Sequence, residues 1–198
     1  MFPDLTRDDV FRIETRRLWL RWPTAKDKDA ILKLAGDRSV AEMLAGVPHP
    51  LPPAVVETFV LQARAENTAG AALTLALARR SAPASLIGVI SIHPGTTATP
   101  ELGYWLGQPH WGAGLMREAV HALCDAFFAY AGGTDLTSSA RTVNTASRRV
   151  LEACGFAQTG TATKPFPARG GDLSVDLFHL DRAQWQASAA VTALTEAA

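Results

Sequence analysis

A glycine pair stands at the head of a long amphipathic stretch, in the run Trp111-Gly112-Ala113-Gly114-Leu115-Met116-Arg117-Glu118-Ala119. Glycines at a helix start let a ligand approach the backbone closely, and the unpaired N–H groups of the first turn then point at it as donors. The ligand that suits such donors is an anion, here read as a diphosphate. A hydrogen bond to a charged phosphate contributes about 1.5–3 kcal/mol net, so three or four backbone donors supply roughly micromolar affinity with no basic patch. Two other anion-binding turns fail on residue type. A P-loop needs Lys and then Ser or Thr after its last glycine, where this chain has Leu115 and Met116. A dinucleotide fingerprint needs Gly or Ala three residues beyond the second glycine, where Arg117 stands. A bare glycine pair also makes ordinary tight turns, so its surroundings decide.

Those surroundings are a mixture of strands and helices. Leu18, Leu20 and Trp22 alternate with Arg17, Trp19 and Arg21 in a first strand stopped by Pro23, and Thr24 caps a helix running from Ala25 to near Gly36. Pro48, Pro50, Pro52 and Pro53 mark a loop into a second helix, Ala54 to Glu66. Leu73 to Leu77 and Leu86 to Ile92 read as central strands, and Glu101 to Gly107 as a fourth. The long helix follows, with Leu115, Ala119, Ala122, Leu123, Ala126 and Phe127 on its apolar face and Gly132-Gly133 at its end. Leu136 to Val143 predicts a fifth strand, Thr145 to Ala153 a short helix and Leu173 to Leu180 a late strand, after which Asp181 caps a last helix. One domain fills 1–198, with a core of about 15–185, an N-terminal arm 1–12 and a peripheral alanine-rich tail 187–198.

Composition narrows the class. With 47% apolar and 19% charged residues the chain has enough apolar surface for a globular core. Lys plus Arg equals Asp plus Glu at 19 each, so no net field draws nucleic acid or an anionic membrane, and an anionic ligand must be held locally. Cys124 and Cys154 fall in apolar helical patterns and read as structural thiols; no spacing of His, Cys or carboxylates suggests a metal site. Neither a secretion signal nor a membrane span is legible, and the expectation is a cytoplasmic protein.

Three segments together resemble the GNAT superfamily of N-acetyltransferases in the order that superfamily shows: Glu101-Leu102-Gly103-Tyr104-Trp105-Leu106, the glycine turn, and Asn144-Thr145-Ala146-Ser147-Arg148-Arg149-Val150-Leu151-Glu152-Ala153-Cys154-Gly155-Phe156. The resemblance runs from about Thr15 to about Trp185 and is nearest the RimJ/RimL-like branch. It implies an α/β (α+β) fold: a mixed, mostly antiparallel twisted sheet of six to seven strands, helices on both faces, and a splayed central pair formed by the fourth and fifth strands. It implies acetyl-CoA as co-substrate in that cleft, its pantetheine arm along Tyr104, Trp105 and Leu106 and its diphosphate on His110, Trp111, Gly112, Ala113, Gly114 and Leu115. The superfamily's Gln or Arg three residues before the first glycine is replaced here by Pro109, which has no N–H to donate.

Aminolysis of a thioester needs a neutral amine, a polarised carbonyl and a proton for the departing sulfur. The resemblance puts a base on the fourth strand, hence Glu101, with His93 and His110 in reserve; a solvated carboxylate at a strand start is the plain alternative for Glu101. A backbone N–H near Tyr104 or Trp105 could receive the thioester oxygen if the strand is bulged there. Many members carry an acidic tyrosine where this chain has Leu151, so Ser147 is the acid by resemblance and Tyr104 its substitute. Asn144 is a good helix N-cap on local grounds and by resemblance reaches the cofactor. The function expected is transfer of acetyl to a primary amine, a protein N-terminus or a small molecule, by direct attack in a ternary complex. The alternative is a non-catalytic acyl-CoA sensor or interaction module of the same fold. The segment between Ala35 and Ala54 and the loop Lys164 to Gly171 are expected on the acceptor side, and a homodimer is possible.

Overall fold

A computed structural model of the chain describes residues 1–95 and 97–188; the tail predicted beyond residue 188 lies outside them. Eight strands form one sheet in the order β1-β2-β3-β4-β5-β6-β8-β7. They are β1 (Arg12–Glu14), β2 (Leu18–Arg21), β3 (Leu73–Arg79), β4 (Ala82–His93), β5 (Glu101–Leu106), β6 (Asp135–Arg141), β7 (Ala157–Phe166) and β8 (Gly171–Asp181). The helices are α1 (Lys28–Ala35), α2 (Arg38–Ala41), α3 (Pro53–Ala69), α4 (Leu115–Asp125) and α5 (Thr145–Ala153), with residues 182–188 helical as well. The mixed α/β architecture is the expected one, but the sheet has eight strands instead of six to seven. The additions are β1, three residues placed by the sequence reading in and beside the N-terminal arm, and β7, whose first five residues are exposed and show no apolar alternation. Edge strands lack the burial that writes a periodic pattern.

Local chemistry explains where the elements stop and start. Pro53 takes the first position of α3, where its missing N–H costs nothing, and Gly70 ends that helix in the left-handed conformation at φ +65°. Thr24 and Asp27 form a capping box at the turn leading into α1, and Asp181 exchanges bonds of 2.7 and 2.8 Å with Gln184 at the head of the last helix. Buried Asn67 fastens α3 to β3, its amide bonding both the Thr74 carbonyl and the Thr74 amide. The long helix α4 continues through a π-helical turn, Ala126–Tyr130.

Two apolar layers cover the sheet. On one face Leu115, Met116, Ala119, Val120 and Leu123 of α4 pack with Leu151 of α5 and with Leu102, Leu136 and Phe178 of the strands. On the other, Ile31 and Ala35 of α1 and Val56 and Val60 of α3 cover Ala76, Leu86 and Val89. Every pair of neighbouring strands is antiparallel except β5 and β6. A parallel pair needs a crossover, and α4 is that crossover, so its N-terminus lies at the carboxyl end of β5.

Candidate functional site

β5 and β6 touch over only two rungs, Glu101↔Thr137 and Leu102↔Ser138, whereas β5 keeps six rungs with β4. At the last shared rung the Ser138 hydroxyl donates to the Leu102 carbonyl at 2.9 Å, supplying a donor where the backbone ladder ends. Beyond it the strands part. The amide of Gly107 donates to the Ile87 carbonyl at 2.9 Å, which sets the phase of the β4 ladder: residues 101, 103, 105 and 107 point their backbone groups at β4, and residues 102, 104 and 106 point theirs at the gap. The N–H and C=O of Tyr104 and the N–H of Leu106 therefore face the opening, while the Leu106 carbonyl receives the Trp111 indole N–H at 2.6 Å. The register from Glu101 to Leu106 is unbroken, so no bulge turns the Trp105 amide toward the gap; it stays with Val89. Trp105 packs its ring on the α1/α3 face and Tyr104 on the α4/α5 face.

The glycine turn closes the open end. His110 ends a 3-10 turn, Trp111 through Gly114 are exposed, and Leu115 begins α4 with its side chain buried. Gly112 and Gly114 hold φ of +74° and +69°, a left-handed conformation costing other residues about 1–2 kcal/mol. A Cβ on Gly112 would meet nothing within 4 Å, so the backbone there is open to an approaching group. Among the described residues no acceptor meets the amides of Gly112 to Arg117, so the first-turn donors that every helix leaves unpaired are uncapped here. The carbonyls are held from behind. Arg17 donates to the Ala113 carbonyl at 2.8 Å and the Gly114 carbonyl at 3.3 Å, and its Nε meets Glu118 at 2.6 Å. Glu118 also accepts from the Thr15 hydroxyl at 2.5 Å and the Arg17 amide at 2.8 Å. Burial works to raise the Glu118 carboxyl, but these three donors outweigh it and hold it below the usual range. This brace was not read from the sequence; a carboxylate in a helix's first turn was its one local sign.

Across the gap Asn144 caps α5, its side-chain oxygen accepting from the Ser147 amide at 3.1 Å. The local capping reading of Asn144 is therefore seen directly. Ser147 and Tyr104 are brought together, hydroxyl to hydroxyl at 2.8 Å. Burial raises the Tyr104 phenol above its ordinary range, the bond to Ser147 offsetting only part, so the group stays protonated and can donate. Leu151 is fully buried and fills core space. Burial, and then the nearby Arg79 charge, lower the His110 pKa and so favour its neutral form.

Glu101 lies on the opposite face of β5 from Tyr104, opposite His93 on β4. Its Oε1 accepts from Lys164 Nζ at 2.9 Å and from the Ser139 hydroxyl at 3.0 Å, partners the sequence reading did not supply. The two expected acceptor-side segments do meet: Arg169 donates to the carbonyls of Ala41 and Val47, the Ala168 amide to Ala45, and Arg141 of β6 to the Glu42 carbonyl. Tyr104 and Ser147 thus lie on one face of β5, and Glu101, Ser139 and Lys164 on the other, beside the segments expected on the acceptor side. Both cysteines are buried; burial pushes Cys154 up to about 12 and Cys124 well above its usual range, which leaves two inert thiols. No helix among the described residues is long and apolar enough to cross a membrane.

Comparison with known proteins fits this geometry. Residues 17–157 match the family model of the acetyltransferase (GNAT) domain. The probable N-acetyltransferase YjcK of Bacillus subtilis (strain 168) is 34% identical over 88 residues, 43% of this chain and 49% of that protein. The chain thus spans about half the length of the curated relatives it matches. Among solved structures, Mycobacterium smegmatis RimJ in complex with CoA-disulfide superposes with a TM-score of 0.78 at 19% identity, covering 93% of this chain and 91% of that one. The ribosomal-protein-S5-alanine acetyltransferase of Vibrio fischeri gives 0.75 at 21% identity, over 88% and 98%. At these identities the likeness is one of fold.

Proposed function

The chain belongs to the GNAT acetyltransferase family, and from that premise we propose that it transfers the acetyl group of acetyl-CoA to a primary amine by direct attack in a ternary complex. The observation that carries the reading is the parting of β5 from β6 beside a helix head whose amides are free. A diphosphate fits that head: two left-handed glycines, no Cβ contact over Gly112, and carbonyls held back by Arg17. The strand groups of Tyr104 and Leu106 that face the gap suit an amide-bearing arm such as pantetheine. The RimJ neighbour, solved with CoA-disulfide, supports the same assignment.

When bound, acetyl-CoA supplies an activated carbonyl and a thiol leaving group. The residues of this chain then divide the work. Glu101, on the acceptor face, takes a proton from the incoming ammonium, directly or through water. An α-amino group with a pKa near 8 asks less of that base than a lysine amine near 10.4, so a protein N-terminus is the easier acceptor. The Tyr104 amide donates to the carbonyl oxygen from the strand edge. The Tyr104 and Ser147 hydroxyls, 2.8 Å apart, hold a proton where the sulfur departs, the role Leu151 cannot fill. Base and acid lie on opposite faces of one strand, so attack and departure proceed from opposite sides of the opening.

The test is release of CoA thiol by purified protein offered peptides beginning with Ala or Ser, lysine peptides, polyamines and aminoglycosides, beside calorimetry of acetyl-CoA binding. Turnover on one class names the acceptor. Binding without turnover on any of them would replace the enzyme by an acyl-CoA sensor, and absence of binding would remove both.

A further inference from the structure

The chain holds only four lysines, Lys26, Lys28, Lys33 and Lys164, against fifteen arginines. Three of them lie along α1 and the turn before it: Lys26 in that turn, Lys28 at the head of the helix and Lys33 in its last turn. Lys164 is the lysine that bonds Glu101, while nearby Arg141 and Arg169 bond backbone carbonyls and Arg38 pairs with Glu42. Its side chain keeps 29% of its exposure, reaches Glu101 across 63 positions of sequence at 2.9 Å, and donates to the Ser139 hydroxyl at 3.0 Å. Ser139 in turn donates to Glu101, so carboxylate, hydroxyl and ammonium form a closed triangle. Glu101 belongs to the first of the two β5/β6 rungs, one residue before the last one and next to where the gap opens. An arginine there would neutralise the carboxylate equally well; a lysine is also a primary amine that can be acylated.

We propose that Lys164 is a resident acceptor: its ammonium occupies the substrate amine's place on Glu101 and, when acetyl-CoA is bound with no other acceptor present, it takes the acetyl group itself. The inference rests on the function proposed above. The ammonium gives one proton to Glu101 and becomes a free amine. Its lone pair forms the C–N bond to the acetyl carbonyl as the C–S bond breaks, and its second proton ends on the departing sulfur through the Tyr104 and Ser147 hydroxyls. The products are acetylated Lys164, CoA thiol and one proton passed from Glu101 to water. The reaction removes the positive charge from the triangle, which leaves Glu101 without its ion pair and the acceptor face filled.

Intact-mass spectrometry with peptide mapping, on the full chain incubated with acetyl-CoA and no amine, tests this. The expected result is one acetyl group on Lys164, added with first-order kinetics independent of protein concentration and at least about tenfold faster than on Lys26, Lys28 or Lys33. Glu101→Gln should slow that addition by about a hundredfold, a good acceptor amine should suppress it, and Lys164→Arg should leave only the slow background. A Lys164 that reacts no faster than the other three lysines, or at a rate that climbs with protein concentration, overturns the proposal. If acetyl passes to an added amine while Lys164 stays unmodified, this inference falls and the proposed function stands; if acetyl-CoA is not bound, both fall.

Discussion

Substituting Gly112 by Ala and by Asp separates two costs at the helix head. Gly112 holds φ +74°, so a side chain strains the turn by up to about 1–2 kcal/mol, a cost no larger for Asp, which tolerates the left-handed region, than for Ala. A Cβ there meets nothing within 4 Å, so neither side chain clashes within the protein. The Asp carboxylate, however, projects into the space assigned to the diphosphate. At about 5 Å and an effective dielectric of about 20–40, each unit of phosphate charge costs about 1.7–3.3 kcal/mol, or roughly 15- to 250-fold in Kd. Titration calorimetry with acetyl-CoA reads the difference, and thermal melts confirm that both variants fold. The charge part must shrink in 1 M salt, where the screening length falls from about 10 to 3 Å, while the strain part must not. Folded Gly112→Asp protein that binds acetyl-CoA as tightly as Gly112→Ala at low salt would refute the diphosphate assignment.

Tyr104→Phe and Ser147→Ala should each slow turnover by about ten- to a hundredfold with acetyl-CoA affinity nearly unchanged, and the double variant should cost less than the product, because the hydroxyls share one bond of 2.8 Å; steady-state kinetics on the three variants decide it. The folded chain depresses the Glu118 pKa, so this group adds stability that is complete above its unfolded value and drains away as pH falls through the carboxylate range. Glu118→Gln should therefore cost about 1–3 kcal/mol at pH 7 and flatten the acid limb of melting temperature against pH, while weakening acetyl-CoA binding through the loosened helix head. Cys124 and Cys154 should resist a thiol reagent in the native protein and react together on unfolding, since both are buried with raised pKa values; one reacting alone would contradict that core packing.

What could be read from the sequence is what leaves a local trace. The caps at Thr24, Asn144 and Asp181 and the core of the α4 face, Leu115, Ala119 and Leu123, are written in neighbouring residues and came out as expected, while Met116, Val120 and Cys124 widen that face beyond the expected set. What escaped was either at an edge or far apart along the chain. β7 pairs only with β8, and Gln158, Thr159 and Thr161 carry no buried face to set a period. The Lys164 contact with Glu101 and the Arg17 brace behind Gly114 join residues 63 and 97 positions apart, and no spacing rule connects such pairs. The unbroken register of β5 also corrected a conditional expectation: the Tyr104 amide reaches the gap through strand alternation alone, and the Trp105 amide does not reach it.

The two-rung joint between β5 and β6 has a mechanical consequence. Five strands lie on one side of it and three on the other, so the sheet is continuous in order but thinly bonded near its middle. On the proposed function, a molecule lying along the Tyr104 edge with its anionic end on the α4 head would occupy part of the missing ladder, so its uptake should stiffen the middle of the sheet. Saturation at a hundred times Kd adds about 2.7 kcal/mol to stability, and slower amide exchange should concentrate at Tyr104, Leu106 and the first turn of α4, leaving the outer strands unchanged.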